Sequence, residues 1–294
     1  MPASPVLAID IGGTKTSAAL VDGTSVLVSR RIETARGAGA DTWLDAIVET
    51  ASCWRGRFDR AGVAVTGRIA EGRWSALNPD ILPVPDNFPL VATLGERLGV
   101  PVMAANDAQA AAWGEFRFGA GQGRDMIFVT VSTGVGGGLV FGGRLITGRG
   151  GLAGHLGQLL VDPLDGERRL EDLASGSALG RAALQDGRWA DPPAVFAAAS
   201  TGDAVAAALI DRVALPLVRS FRSLQLLLDP DCFVIGGGIG LAAGFLDRLR
   251  GMVRDLPRDY RPEFRTAALG AEAGLIGIAD LSRTSPTSAT EVDQ

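Results

Sequence analysis

The groups best equipped to do chemistry are three glycine-rich turns and one carboxylate. Asp10-Ile11-Gly12-Gly13-Thr14-Lys15 ends an apolar run. Without Cβ atoms, Gly12 and Gly13 let backbone N–H groups approach phosphate oxygens, and the Thr14 hydroxyl adds a donor. Lys15 is the only lysine in an arginine-biased chain, and it is a compact point charge where arginine is a planar fork. Asp10 has the chemistry to hold the Mg²⁺ of a nucleotide, directly or through water. The spacing is neither that of Walker A nor GxGxxG. Ser132-Thr133-Gly134-Val135-Gly136-Gly137-Gly138 repeats the same chemistry in the second half, with Thr133 to Gly138 as candidate phosphate contacts. Gly236-Gly237-Gly238 offers a flat backbone surface before a helix, suited to a purine base or its ribose. A plain hairpin turn explains any one such run. Three of them, each behind a buried strand, are hard to explain as packing.

Asn106-Asp107 closes an apolar strand and opens a helix. Asp107 is either the cap of that helix or a general base that takes the proton of an attacking hydroxyl. The residues alone leave both open. His155 is the only histidine, which excludes any catalytic scheme or metal site needing two. It is either structural or a neutral imidazole on a substrate hydroxyl. Glu171 is either a first-turn carboxylate favoured by the helix dipole or a site residue.

These groups need a scaffold, and the composition allows one. Of 294 residues, 47% are hydrophobic and 21% charged, which supplies a substantial core and argues against wholesale disorder. The net charge is −5 and no basic run occurs, so nucleic acid and anionic membranes are not expected partners. No apolar stretch approaches the ~20 residues of a membrane span. Met1 to Pro5 lacks the pattern of a signal peptide, and Cys53 and Cys232 form no cysteine cluster. The expected address is the cytoplasm.

Apolar runs bounded by glycine, proline and asparagine predict strands at residues 5–11, 16–21, 26–32, 61–65 and 102–105, with helices over 42–54, 90–98 and 108–118. Residues 68–89 read as loop. The order strand, glycine turn, strand returns at 126–141, about 120 residues after its first occurrence, which suggests an internal duplication. Helices dominate 171–230. The longest, near 203–228, shows a face of Val205, Leu209, Val213, Leu217, Phe221, Leu224 and Leu228, with a kink expected at Pro216. A strand at 232–235 leads into a helix near 242–255. The expected domains are 1–118 and 119–282, with a helix near 272–281 packing back on the first and a flexible tail at 283–294.

Together LAIDIGGTKTSAAL (7–20), NDAQAAAWGEF (106–116), VSTGVGGGLV (131–140), GGLAGHLG (150–157) and IGGGIGLAAGFL (235–246) resemble the ROK family of repressors, open reading frames and kinases. The resemblance runs from residue 7 to about 280. It implies an α/β actin-like ATPase (ribonuclease H-like) fold, two similar domains around a cleft, and ATP-dependent sugar phosphorylation with Mg²⁺. It implies that Asp10 to Lys15 and Thr133 to Gly138 embrace the phosphates, and that Asp107 is the catalytic base. Gly67, Arg68, Asn78, Asn106, His155 and Glu171 look like sugar contacts, and a homodimer is expected. The wording of NDAQAAAWGEF and GGLAGH, with Leu152 where family glucokinases carry glutamate, resembles the branch acting on the 6-hydroxyl of N-acetylmannosamine. The alternatives are a glucokinase or other hexosamine kinase, and a non-catalytic sugar sensor or regulator. Regulators of the family carry a winged helix ahead of the first strand, and retention of Asp107 argues against a sensor. In one place the chain departs from the family. Instead of a CxCGxxGCxE zinc loop after the histidine, Asp162-Pro163 leads through Leu164–Leu170 to Glu171 without a cysteine. Structural zinc is therefore expected to be absent, with Glu167 pairing Arg168 or Arg169 to hold the loop.

Overall fold

A computed structural model describes residues 4–35, 37–77, 82–162 and 168–284. Asn78, Glu167 with its expected pairing, and the tail from 285 lie outside the described residues. The chain divides into two compact units, the first comprising Met1–Gly114, Thr147–Leu152 and the segment from Glu272, the second Glu115–Ile146 and Ala153–Ala271. The first unit thus takes back a short internal segment as well as the terminal helix.

In unit 1, β1 (Val6–Ile11) is buried at every position except Asp10, as a strand covered on both faces must be. It pairs antiparallel with β2 (Lys15–Asp22), which pairs antiparallel with β3 (Ser25–Glu33). On its other side it runs parallel to β4 (Ala61–Val65), and β4 runs parallel to β7 (Val102–Asn106). The sheet order is β3-β2-β1-β4-β7. Ile11, Val65 and Asn106 stand in one row, so the three parallel strands end together. Helix α1 (Ala40–Ala51) buries Trp43, Leu44, Ile47 and Ala51 at helical spacing, and α2 (Leu90–Leu98) buries Leu90, Leu94 and Leu98 before a left-handed Gly99 ends it.

The region 68–89, expected as loop, contains a hairpin of β5 (Arg68–Ala70) and β6 (Arg73–Ser75). Its two-residue turn, Glu71-Gly72, is left-handed at both positions, the geometry that matches strand twist. Strands of three residues are too short to display alternation. Helix α3 (Asp107–Phe118) follows β7 directly.

Unit 2 repeats the topology. Strand β8 (Met126–Val131) pairs antiparallel with β9 (Val135–Phe141), which pairs antiparallel with β10 (Arg144–Ile146). After the short ribbon β11 (Leu160–Asp162) and β12 (Arg168–Arg169) come α4 (Leu170–Ala174), α5 (Gly176–Asp186), α6 (Pro192–Ser200) and α7 (Ala204–Leu228). Strand β13 (Cys232–Gly236) runs parallel to β8 and to β14 (Phe264–Thr266), with α8 (Gly237–Gly240) and α9 (Phe245–Val253) between them in sequence. The order β10-β9-β8-β13-β14 has the same succession of antiparallel and parallel pairs as the first sheet.

Helix α7 is capped by the Asp203 carboxylate, which accepts from the N–H groups of Val205 and Ala206, and it runs through Pro216 as one element. Its inner face holds Ala206, Ile210, Val213, Leu217, Phe221 and Leu224. Val205, expected on that face, is exposed, because the smaller Ala206 packs there instead. The rings of Phe221, Phe233 and Phe264 meet at 5.1 to 6.0 Å between centroids. Helix α10 (Ala273–Thr284) returns to unit 1. It approaches so closely that a Cβ on Gly62 would lie 2.5 Å from the Ile278 carbonyl oxygen. Among the described residues, no helix is long and apolar enough to cross a membrane.

Candidate active site

In unit 1 the common end of β1, β4 and β7 gathers Asp10, Gly12, Thr66, Gly67, Asn106 and Asp107. This carboxyl edge is where open α/β sheets place their ligands. The helix cap belongs to Asn106. Its Oδ1 accepts from the N–H groups of Ala108 (3.0 Å) and Gln109 (3.1 Å), while its Nδ2 donates to the Gly67 carbonyl (3.0 Å) and to Asp107 Oδ1 (2.9 Å). Asp107 Oδ1 also accepts from the Ala108 N–H at 2.8 Å, and Oδ2 accepts from the Thr66 hydroxyl at 3.1 Å. Asn106 is thus tied to the scaffold through both ends of its amide, and Asp107 is held by it.

Asp10 lies close enough to Asp107 for their charges to interact. Burial, and secondarily the charge of Asp107, push its carboxyl up from 3.8 to about 7. The glycine turn beside it is fixed by threonines: the Thr34 hydroxyl donates to the Gly12 carbonyl at 2.8 Å and lies 2.9 Å from the buried Thr16 hydroxyl, and the Gly12 N–H donates to the Lys15 carbonyl. Gly67 has φ +113°, and a Cβ there would lie 2.6 Å from the Ser75 carbonyl oxygen, so glycine is required. Arg68 is held by the hairpin, donating to Ser75 Oγ at 3.2 Å and to the Gly150 carbonyl at 3.5 Å. Gln109 donates to the Gly151 carbonyl at 3.3 Å. Thr34, Thr66, Ser75 and Gln109 carried no signal in the sequence, being ordinary polar residues until the fold assembles them.

In unit 2 the turn proper is Ser132-Thr133-Gly134. The carbonyls of Ser132 and Thr133 accept from Gly176 and Ser177 at the first turn of α5, and Ser175 caps that helix. The expected phosphate contacts beyond this turn also have structural roles. The Val135 N–H donates to Glu171 Oε2 at 3.1 Å, and Gly136, Gly137 and Gly138 stand in the β8–β9 ladder. A Cβ on Gly137 would lie 2.7 Å from Leu156, and one on Gly154 would lie 2.9 Å from the Gly138 Cα. Close packing therefore accounts for Gly137 and Gly154. His155 follows Gly154 and opens a short 3-10 turn over Leu156–Gln158, so His155 and Glu171 both sit on segments packed against β9.

Gly238 differs. A Cβ there would meet nothing within 4 Å. It lines a cavity of about 700 Å³ together with Ser132, Thr133, Ser177, Pro192 and Phe196. The lining joins apolar Pro192, Phe196 and Ile239 to the hydroxyl-bearing Ser132, Thr133 and Ser177, a composition that fits a nucleotide. Pro192 and Phe196 come from α6, far in sequence from every glycine run. Among the described residues, no group of three or more His, Cys, Asp or Glu side chains could hold a metal ion.

The ROK family model matches residues 6–285. The chain belongs to the ROK family. A bifunctional enzyme NanE/NanK of Brucella melitensis is 50% identical over 96% of this chain and 55% of its own length. An N-acetylmannosamine kinase of Salmonella typhi is 40% identical over 94% of this chain and 98% of its own. This ROK chain thus spans about half the length of the Brucella relatives it matches. Among solved structures, a ROK family glucokinase from Streptomyces griseus, in complex with glucose and AMPPNP, superposes with a TM-score of 0.81 at 33% identity, covering 96% of this chain and 100% of that one. The chain has the actin-like ATPase fold of the ROK sugar kinases.

Proposed function

We propose that this chain is a kinase that transfers the γ-phosphoryl group of ATP to the 6-hydroxyl of N-acetylmannosamine, with Asp107 as general base. The observation that carries the reading is the division of labour between Asn106 and Asp107. Asn106 makes cap bonds to the second and third helical N–H groups and Asp107 Oδ1 shares only the second, so capping does not account for Oδ2 of the Asp107 carboxylate at the carboxyl edge of the sheet. In the proposed step that carboxylate takes the hydroxyl proton, the sugar oxygen bonds to the γ-phosphorus, and the bond from that phosphorus to the bridging oxygen breaks, releasing ADP. The cavity beside Gly238 would hold the adenosine, and the turns at Gly12–Lys15 and Ser132–Gly134 the phosphates. Asp10 would hold Mg²⁺, whose role is to neutralise phosphate charge. A desolvated carboxyl raised partly by a neighbouring carboxylate is a setting that a divalent cation relieves.

Arg68, His155 and Glu171 are proposed sugar contacts, the Asn106 amide being fully engaged by the scaffold. The choice of N-acetylmannosamine over glucose rests on the 40% identity to the Salmonella kinase against 33% to the glucokinase. ADP release measured in parallel with N-acetylmannosamine, glucose and N-acetylglucosamine tests it. Turnover largest with N-acetylmannosamine supports the reading, larger turnover with glucose overturns the substrate, and no turnover with any sugar overturns the reaction. Family resemblance adds a homodimer to the proposal, checked by equilibrium sedimentation.

A further inference from the structure

The functional reading leaves Thr66 unused, although its hydroxyl donates to Asp107 Oδ2 at 3.1 Å. An ionised carboxylate only accepts, so the hydroxyl is the donor. The residue sits one position past β4 and is pinned through its backbone on both sides. Its N–H donates to the Ile11 carbonyl at 3.3 Å, and its carbonyl accepts from Trp74 Nε1 at 2.9 Å. Trp74 is fully buried and its ring packs 6.2 Å from that of Trp43. The following residue is the glycine that no side chain could replace, with φ +113°. These bonds fix the backbone from which the hydroxyl reaches Asp107.

We propose that Thr66 is a positioning residue that fixes the orientation of the base. Asp107 Oδ1 is already gripped by the Ala108 N–H and Asn106 Nδ2. A carboxylate held through one oxygen can still rock about its Cβ–Cγ bond, a soft torsion. A donor on the second oxygen stops that motion. The line of attack on phosphorus depends on the direction from which the proton is taken, and misplacement of a reacting group by about 1 Å costs on the order of a hundredfold. Thr66 thereby ties the base to the end of β4, whose backbone Trp74 holds in turn.

This inference rests on the kinase reading and is tested so that the two fail separately. Thr66→Val keeps the branched shape and removes the donor, and Thr66→Ser keeps the donor and removes the methyl group. With N-acetylmannosamine and ATP, Thr66→Val is expected to lower kcat roughly tenfold or more while both KM values change less than about threefold, and Thr66→Ser is expected to restore most of kcat. A role confined to packing would reverse the two, sparing Val and impairing Ser. Equal kcat in Thr66→Val and the parent overturns the inference. Calorimetric binding of the sugar to Thr66→Val confirms that the variant is folded. If the parent has no turnover, the kinase reading has failed rather than the role of Thr66.

Discussion

Asp107 and Asp10 face one sheet edge, and a single-atom change at each separates their roles. Asp107→Asn keeps the Oδ1 that accepts from Ala108 and Asn106, and Asn106 still caps α3, so stability is expected to change by less than about 1 kcal/mol. The variant lacks a base for the sugar hydroxyl, so kcat should fall about 10²–10⁴-fold with sugar binding intact. Near-normal kcat with lowered stability would make Asp107 a structural residue. Asp10 behaves differently. Its carboxyl stands at about 7 in the fold against 3.8 when free, so between those values the folded chain holds a proton that the unfolded chain has lost. Stability should therefore decline as pH rises from 3.8 to about 7 and then level off. The shift corresponds to at most about 4 kcal/mol. In metal-free, ligand-free buffer, Asp10→Asn should melt higher than the parent at pH 8, and the gap should narrow toward pH 5. A variant less stable than the parent at pH 8 would contradict this electrostatic account.

The glycine runs look alike in the sequence and divide into two kinds once the elements assemble. Gly137 is held between Leu156 and the Phe128 carbonyl, each within 2.8 Å of the point where a Cβ would stand, and a backbone oxygen cannot turn aside. Gly137→Ala should cost about 1–3 kcal/mol, read by chemical denaturation. Gly238 faces the cavity, so Gly238→Val should leave the melting temperature nearly unchanged and raise KM for ATP about tenfold. Equal effects of the two changes on stability would undo the distinction. The same comparison explains what the chain order could and could not reveal. The strands Ala61–Val65 and Met126–Val131 and the helix Leu90–Leu98 were legible because each is a continuous or periodic apolar run with glycine or proline nearby. The hairpin over Arg68–Ser75 was not, since three-residue strands carry no period. The pairing of Glu171 with the Val135 N–H, and the arrival of Pro192 and Phe196 at Gly238, were hidden for another reason. Contacts between residues tens of positions apart are decided by packing, and local spacing does not encode them. Asp107 lay between, visible as a candidate in the sequence, while the share of capping taken by Asn106 needed the folded geometry.

The proposed reaction draws on both units, because Asp107 and Asp10 belong to the first and the cavity beside Gly238 to the second. A phosphoryl group and the hydroxyl that attacks it must come within about 3–3.5 Å, so ligands bound to the two units must couple them. The chain passes between the units at Gly114–Glu115, Ile146–Thr147, Leu152–Ala153 and Ala271–Glu272. At the first and last of these, within unit 2, the fully buried Glu115 carboxylate accepts from the N–H groups of Ala120, Ala268 and Leu269, fixing the chain just after the first passage and just before the last. Within unit 1, a Cβ on Gly114 would lie 2.6 Å from the Ala273 carbonyl oxygen, so α3 and α10 leave no slack there. Motion on ligand binding is therefore expected as displacement of the units rather than as repacking inside either. Small-angle scattering with N-acetylmannosamine and a non-hydrolysable ATP analogue together should give a smaller radius of gyration than the ligand-free chain, with each ligand alone producing less of the change. Exclusion of water from the transferring phosphate requires such a response. A radius unchanged under saturating ligands, with calorimetry confirming that both are bound, would show that the units do not move and that the coupling argued from Asp107 and Gly238 is mistaken.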